Sequence, residues 1–78
     1  MFKPKTIAEF EILEFIKQNF NLESINIRSL SNQFPQGYVI EVEDKTGRKL
    51  YFYKKKISSV KEVRYTDNLS SYALCDLK

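Results

Sequence analysis

Few of the 78 residues are of the types that do chemistry, and their spacing decides which chemistry is open. There is no histidine, which removes the commonest general base and the commonest transition-metal ligand. The single cysteine, Cys75, has no histidine to activate it and no second cysteine to pair with. Gly37 and Gly47 are the only glycines, so no loop can cradle a phosphate in the manner of a nucleotide site. The carboxylates Glu41 and Glu43 remain. Two apart on a strand, they share a face at a separation of roughly 7 Å, a spacing open to acid/base work or to a cation. A solvated sheet face with cross-strand ion pairs accounts for them more simply. Cys75 likewise reads as a packed or incidental thiol. The expectation is a non-enzymatic chain with no catalytic residue, no cofactor and no metal.

Binding chemistry is better represented. The net charge is +3, but it is unevenly placed. Residues 1–44 carry four basic side chains against seven acidic ones, whereas residues 45–64 carry eight against the single Glu62. Such asymmetry points to an anionic partner. Lys54-Lys55-Lys56 is the densest cluster. Together with Lys49, Lys61 and Arg64 it could meet phosphates, with Tyr51 and Tyr53 as stacking platforms. Lysines at a strand end also serve to keep a sheet edge from pairing with other chains. Glu41 and Glu43 share the tyrosine face and would repel a phosphate backbone, so nucleic acid is the second reading. A mixed face of Glu41, Glu43, Lys49, Tyr51, Tyr53 and Lys55 suits a protein partner better, because tyrosine offers area with a polar tip and paired charges offer specificity. Alternatively the C-terminal residues cover that face, since Leu69, Tyr72, Leu74 and Leu77 must be buried somewhere.

These side chains need elements to position them, and 38–56, YVIEVEDKTGRKLYFYKKK, supplies the clearest. Asp44-Lys45-Thr46-Gly47 separates two β-rich runs. A type I turn followed by Gly47 in the left-handed region gives a short hairpin loop, and Asp44 can start it by bonding the backbone ahead. The register then puts Val42 opposite Leu50, Ile40 opposite Phe52 and Tyr38 near Lys54 on one face. Glu43 opposite Lys49, Glu41 opposite Tyr51 and Val39 opposite Tyr53 form the other. A slip of one residue would bury both glutamates, so the register is firm.

A helix precedes the hairpin. Thr6-Ile7-Ala8-Glu9 fits a capping box, with Pro4 outside it. Phe10, Leu13, Ile16 and Phe20 follow the helical period, and Asn21 is a stop signal. Ala8, Ile12 and Phe15 widen the apolar arc beyond the single stripe that one small sheet requires. Ile12 and Phe15 are therefore expected beneath the C-terminal segment or at a homodimer contact. Residues 23–30 alternate as a half-buried strand, with Ile25 and Ile27 on its apolar face. Residues 31–37 read as a loop, with Pro35 presetting the turn. Val60-Lys61-Glu62-Val63-Arg64-Tyr65 suits a strand, although Ser59 with Glu62 also fits a helix cap. Residues 67–78 fit either a short helical turn or an edge strand.

The architecture expected is α+β: a single domain over 1–78, with an N-terminal helix on an antiparallel sheet of three or four strands. A domain this small buries only about 60% of its unfolded surface. No apolar run approaches the roughly 20 residues that span a bilayer. Glu9, Glu11 and Glu14 argue against a signal or transit peptide, and one cysteine suits a reducing compartment, so the expected location is cytoplasmic. The function expected is a small protein-interaction module, an adaptor, inhibitor or assembly subunit. The alternative is a nucleic-acid-binding domain using 45–64.

Overall fold

The computed structural model describes residues 3–34, 37–55 and 63–68. They form helix α1 (Ile7–Asn19) and strands β1 (Asn26–Ser29), β2 (Gly37–Glu43), β3 (Lys49–Lys55) and β4 (Arg64–Thr66), with single 3-10 turns at Leu22–Ser24 and Ser31–Gln33. The strands make one antiparallel sheet in the order β1-β2-β3-β4, and α1 lies on one face of it. This is the α+β arrangement expected. No helix among the described residues is long and apolar enough to cross a membrane. Pro35, Lys56, residues 57–62 and residues 69–78, with Cys75, lie outside the described residues.

The hairpin has the expected register. Val42 pairs with Leu50, Ile40 with Phe52 and Tyr38 with Lys54, while Glu43, Glu41 and Val39 pair with Lys49, Tyr51 and Tyr53. Its turn is built around Asp44. The Asp44 amide donates to the Arg48 carbonyl at 3.0 Å, and the Gly47 amide donates to the Asp44 carbonyl at 3.1 Å. The Asp44 carboxylate accepts from the Thr46 hydroxyl at 2.6 Å, the Thr46 amide at 2.9 Å and the Arg48 amide at 3.0 Å. The Thr46 hydroxyl foremost, with these amides and the Arg48 charge, holds its carboxyl below the usual aspartate range. Gly47 stands at φ +87° and nothing lies within 4 Å of the place a Cβ would take. Gly47→Ala is therefore expected to cost about 1–2 kcal/mol through the backbone alone. A lower urea midpoint with an unchanged denaturant slope is the readout.

β1 falls within the expected 23–30 but is shorter. β1 starts at Asn26 because Leu22–Ser24 turns first, with the Asn21 side chain accepting from the Glu23 amide at 3.0 Å. Ile25 and Ile27 pack on the helix side. Within the ambiguous 57–66 stretch, Arg64–Thr66 is strand, paired with Tyr51–Tyr53 of β3.

The helix differs from expectation in its rotation. Thr6 caps it, its hydroxyl accepting from the Glu9 amide at 3.1 Å. Glu9 reaches back to the Lys5 amide at 3.1 Å, one residue before the partner a standard capping box would use. The inward residues are Glu9, Ile12, Leu13 and Ile16, whereas Phe10 is 51% exposed. Ile12 and Phe15 thus sit in the helix–sheet core: Ile12 is fully buried with Ile16, Ile40, Val42 and Phe52, and Phe15 meets Phe52 at 5.8 Å between ring centres. Ile12 is thus spent in the core, whereas half-buried Phe15 also turns one side to the groove described below. Residues 9, 12, 13 and 16 are spaced i, i+3, i+4, i+7, so drawing Glu9 inward turns Phe10 about 100° toward solvent.

Candidate functional site

On the sheet face away from the helix, Tyr51 and Tyr53 stand side by side as expected, but as core rather than surface. They are 8% and 5% exposed and cluster with Val39, Leu30 and Phe34. Leu30 reaches them because its amide donates to the Val39 carbonyl at 2.8 Å, after which Ser31–Gln33 folds Phe34 back over the face. Glu41 is also buried, and Arg28 Nη2 donates to its Oε2 at 3.3 Å. Glu43 is half-buried, while Lys49 and Lys55 are exposed at the two ends of β3. Of the six residues expected to form a mixed docking face, three are buried side chains. The alternation of β3 cannot reveal this, because the cover comes from a separate loop.

The basic residues are likewise divided. Lys54 is on the helix side, 8% exposed, with its ammonium in an ion pair with the Glu11 carboxylate. A buried, paired lysine is not available to a phosphate. Lys49 and Lys55 are six residues apart, roughly 20 Å along an extended strand. Arg64 is exposed on β4 and pairs in register with Tyr53. Lys56 and Lys61 lie outside the described residues.

A polar cluster that the spacing of charges did not suggest sits at the start of α1. Glu9 is 3% exposed. The Ser29 and Ser31 hydroxyls donate to its Oε2 at 2.6 and 2.9 Å, and the Ser31 hydroxyl accepts from the Val39 amide at 3.2 Å. Burial pushes the Glu9 carboxyl up, but bonds from Ser29, the Lys5 amide and Ser31, with the Lys5 charge, together bring it below the usual glutamate range. Beside it lies an open cleft of about 400 Å³, with Lys3, Lys5, Asn32 and Tyr38 among its walls. A carboxylate held ionised in this way is a weak general base, so its work here is to tie the helix start to β1 and β2. The clue in the sequence was Glu9 standing on the same helical stripe as Ile12, Leu13 and Ile16.

The second concavity is apolar. Phe15, Asn19, Phe20, Leu50, Phe52 and Tyr65 line a groove of about 310 Å³ between the C-terminal half of α1 and the β3–β4 side of the sheet. Phe52 is its floor, with Phe15, Phe20 and Tyr65 at 5.8, 6.0 and 5.7 Å between ring centres. Tyr65 is 62% exposed, and Phe15, Phe20 and Leu50 are half-buried. The groove exists because β4 extends the sheet beyond the width that one helix covers. None of the six residues expected to bind a partner lines it. No family model, curated protein or solved structure matches the chain, and its function is read from its own residues.

Proposed function

We propose that this chain is a small non-enzymatic protein-interaction module that takes an apolar side chain of a partner protein into the groove beside Tyr65. The observation that carries the reading is a wall of half-buried Phe15, Phe20 and Leu50 facing an exposed tyrosine. Aromatic rings bring large apolar area at a small entropic cost, and the tyrosine hydroxyl stays in water. A volume of about 310 Å³ leaves ample room for one apolar side chain. Exposed basic residues nearby, Lys45, Arg48 and Lys49 at the hairpin end, favour a partner surface of opposite sign.

A displayed library of random peptides, selected on the full chain, tests this. Selected peptides are expected to lose about tenfold or more in affinity for Tyr65→Ser, a hot-spot-sized effect. Thermal unfolding should change little, because the side chain is mostly exposed. Binders indifferent to Tyr65→Ser, or a library that yields none, would overturn the proposal. Retention of single- or double-stranded nucleic acid that falls steeply with salt would carry the alternative instead.

A further inference from the structure

We infer that the partner enters as an extended acidic segment added antiparallel to β4, with one apolar side chain dropped into the groove. The inference rests on the groove reading above and adds to it how the partner is held.

The backbone of β4 is the first observation. The Asp44–Arg48 bond sets the hydrogen-bonding phase of the hairpin, so Leu50, Phe52 and Lys54 direct their main-chain groups toward β2. Tyr51 and Tyr53 then direct theirs toward β4, where they meet Thr66 and Arg64. Tyr65 lies between those two, so its N–H and C=O point away from the sheet. No other strand flanks β4 among the described residues. This edge therefore presents one donor and one acceptor, directly beside the groove that the Tyr65 side chain lines.

The second observation is the pattern such a strand would need. A residue paired with Tyr65 projects to the same face as Tyr65, which is the helix side and the groove. Its two neighbours project to the opposite face, where Arg64 and Lys55 are exposed. Across the turn, β3 and β4, the exposed charges are Lys45, Arg48, Lys49, Lys55 and Arg64 against Asp67. The fitting segment thus alternates acidic, apolar, acidic. Two main-chain bonds on a three-residue edge are too few to hold a strand alone, so the anchor and the charges must supply the rest.

The probe is a blocked nine-residue peptide in which glutamate alternates with valine around a central phenylalanine. It should bind the full chain at low salt, and a lysine-for-glutamate version should bind at least about tenfold more weakly. N-methylation of the central phenylalanine amide, which would face Tyr65, is expected to lose about tenfold or more, while N-methylation of a neighbouring glutamate is tolerated. Equal effects of methylation at both positions, or no binding by the acidic peptide, would overturn strand addition. If library peptides still depend on Tyr65 in that case, the groove stands and only the extended mode falls. If they do not, both fall together.

Discussion

Phe52→Ala is expected to lower stability by about 3–5 kcal/mol, the range for removing a large aromatic from a packed core. Phe52 is 2% exposed at the centre of the sheet, paired with Ile40 on one side and Tyr65 on the other. Three rings close on it, from Phe15, Phe20 and Tyr65, so truncation leaves a void that neither the helix nor β4 can fill without shifting. A domain of this size holds only about 4–12 kcal/mol in total, so the variant should lose a large share of its stability. Urea titration followed by circular dichroism measures it, with Ile7→Ser as the control. Ile7 is 79% exposed on the same helix, and its replacement should stay within about 0.5 kcal/mol. A near-native midpoint for Phe52→Ala would mean that the helix does not depend on this contact.

Glu9→Gln is expected to cost about 2 kcal/mol at neutral pH, because bonds to a charged acceptor are worth more than those to an amide. Two serine hydroxyls and the Lys5 amide converge on this carboxylate. The variant should also remove part of the acid sensitivity, and the sign follows from the direction of the shift. The folded protein holds Glu9 below its ordinary value of 4.5, so the unfolded chain takes up its proton first as the pH falls. The stabilisation is complete above the ordinary value and is lost as the pH falls through the lowered one. Asp44 is also held low but is common to both proteins, so the difference between wild type and Glu9→Gln isolates Glu9. Urea midpoints from neutral pH to pH 2 should converge on the acid side. Parallel profiles would show that the bond network gives no ionisation-dependent stability.

The hairpin was legible to the residue because its determinants are local. Asp44 and Gly47 set the turn, and once the turn is set the pairing of Glu43 with Lys49, Val42 with Leu50 and Ile40 with Phe52 follows residue by residue. The capping threonine was legible for the same reason. The candidate site was not. The groove needs Phe15 from α1, Leu50 and Phe52 from β3 and Tyr65 from β4, residues that no local pattern brings together. The cover over Tyr51 and Tyr53 is equally non-local, since Leu30 and Phe34 come from the connection between β1 and β2. Lys54 belonged to a visible basic run, yet its partner Glu11 lies on the helix, 43 residues earlier.

Period-two and period-3.6 patterns state which face of an element is apolar, and the turn residues state how neighbouring strands align. By itself, therefore, the sequence determined the antiparallel hairpin, its register and the helix-on-sheet class. Only the tertiary structure decided the rotation of the helix. Phe10 and Ile12 are both apolar enough to face inward, and the choice fell to Ser29 and Ser31, which stabilise a buried Glu9 on the stripe of Ile12 and Ile16. It also decided which aromatics reach solvent, because burial depends on how far one helix and one loop can extend across four strands.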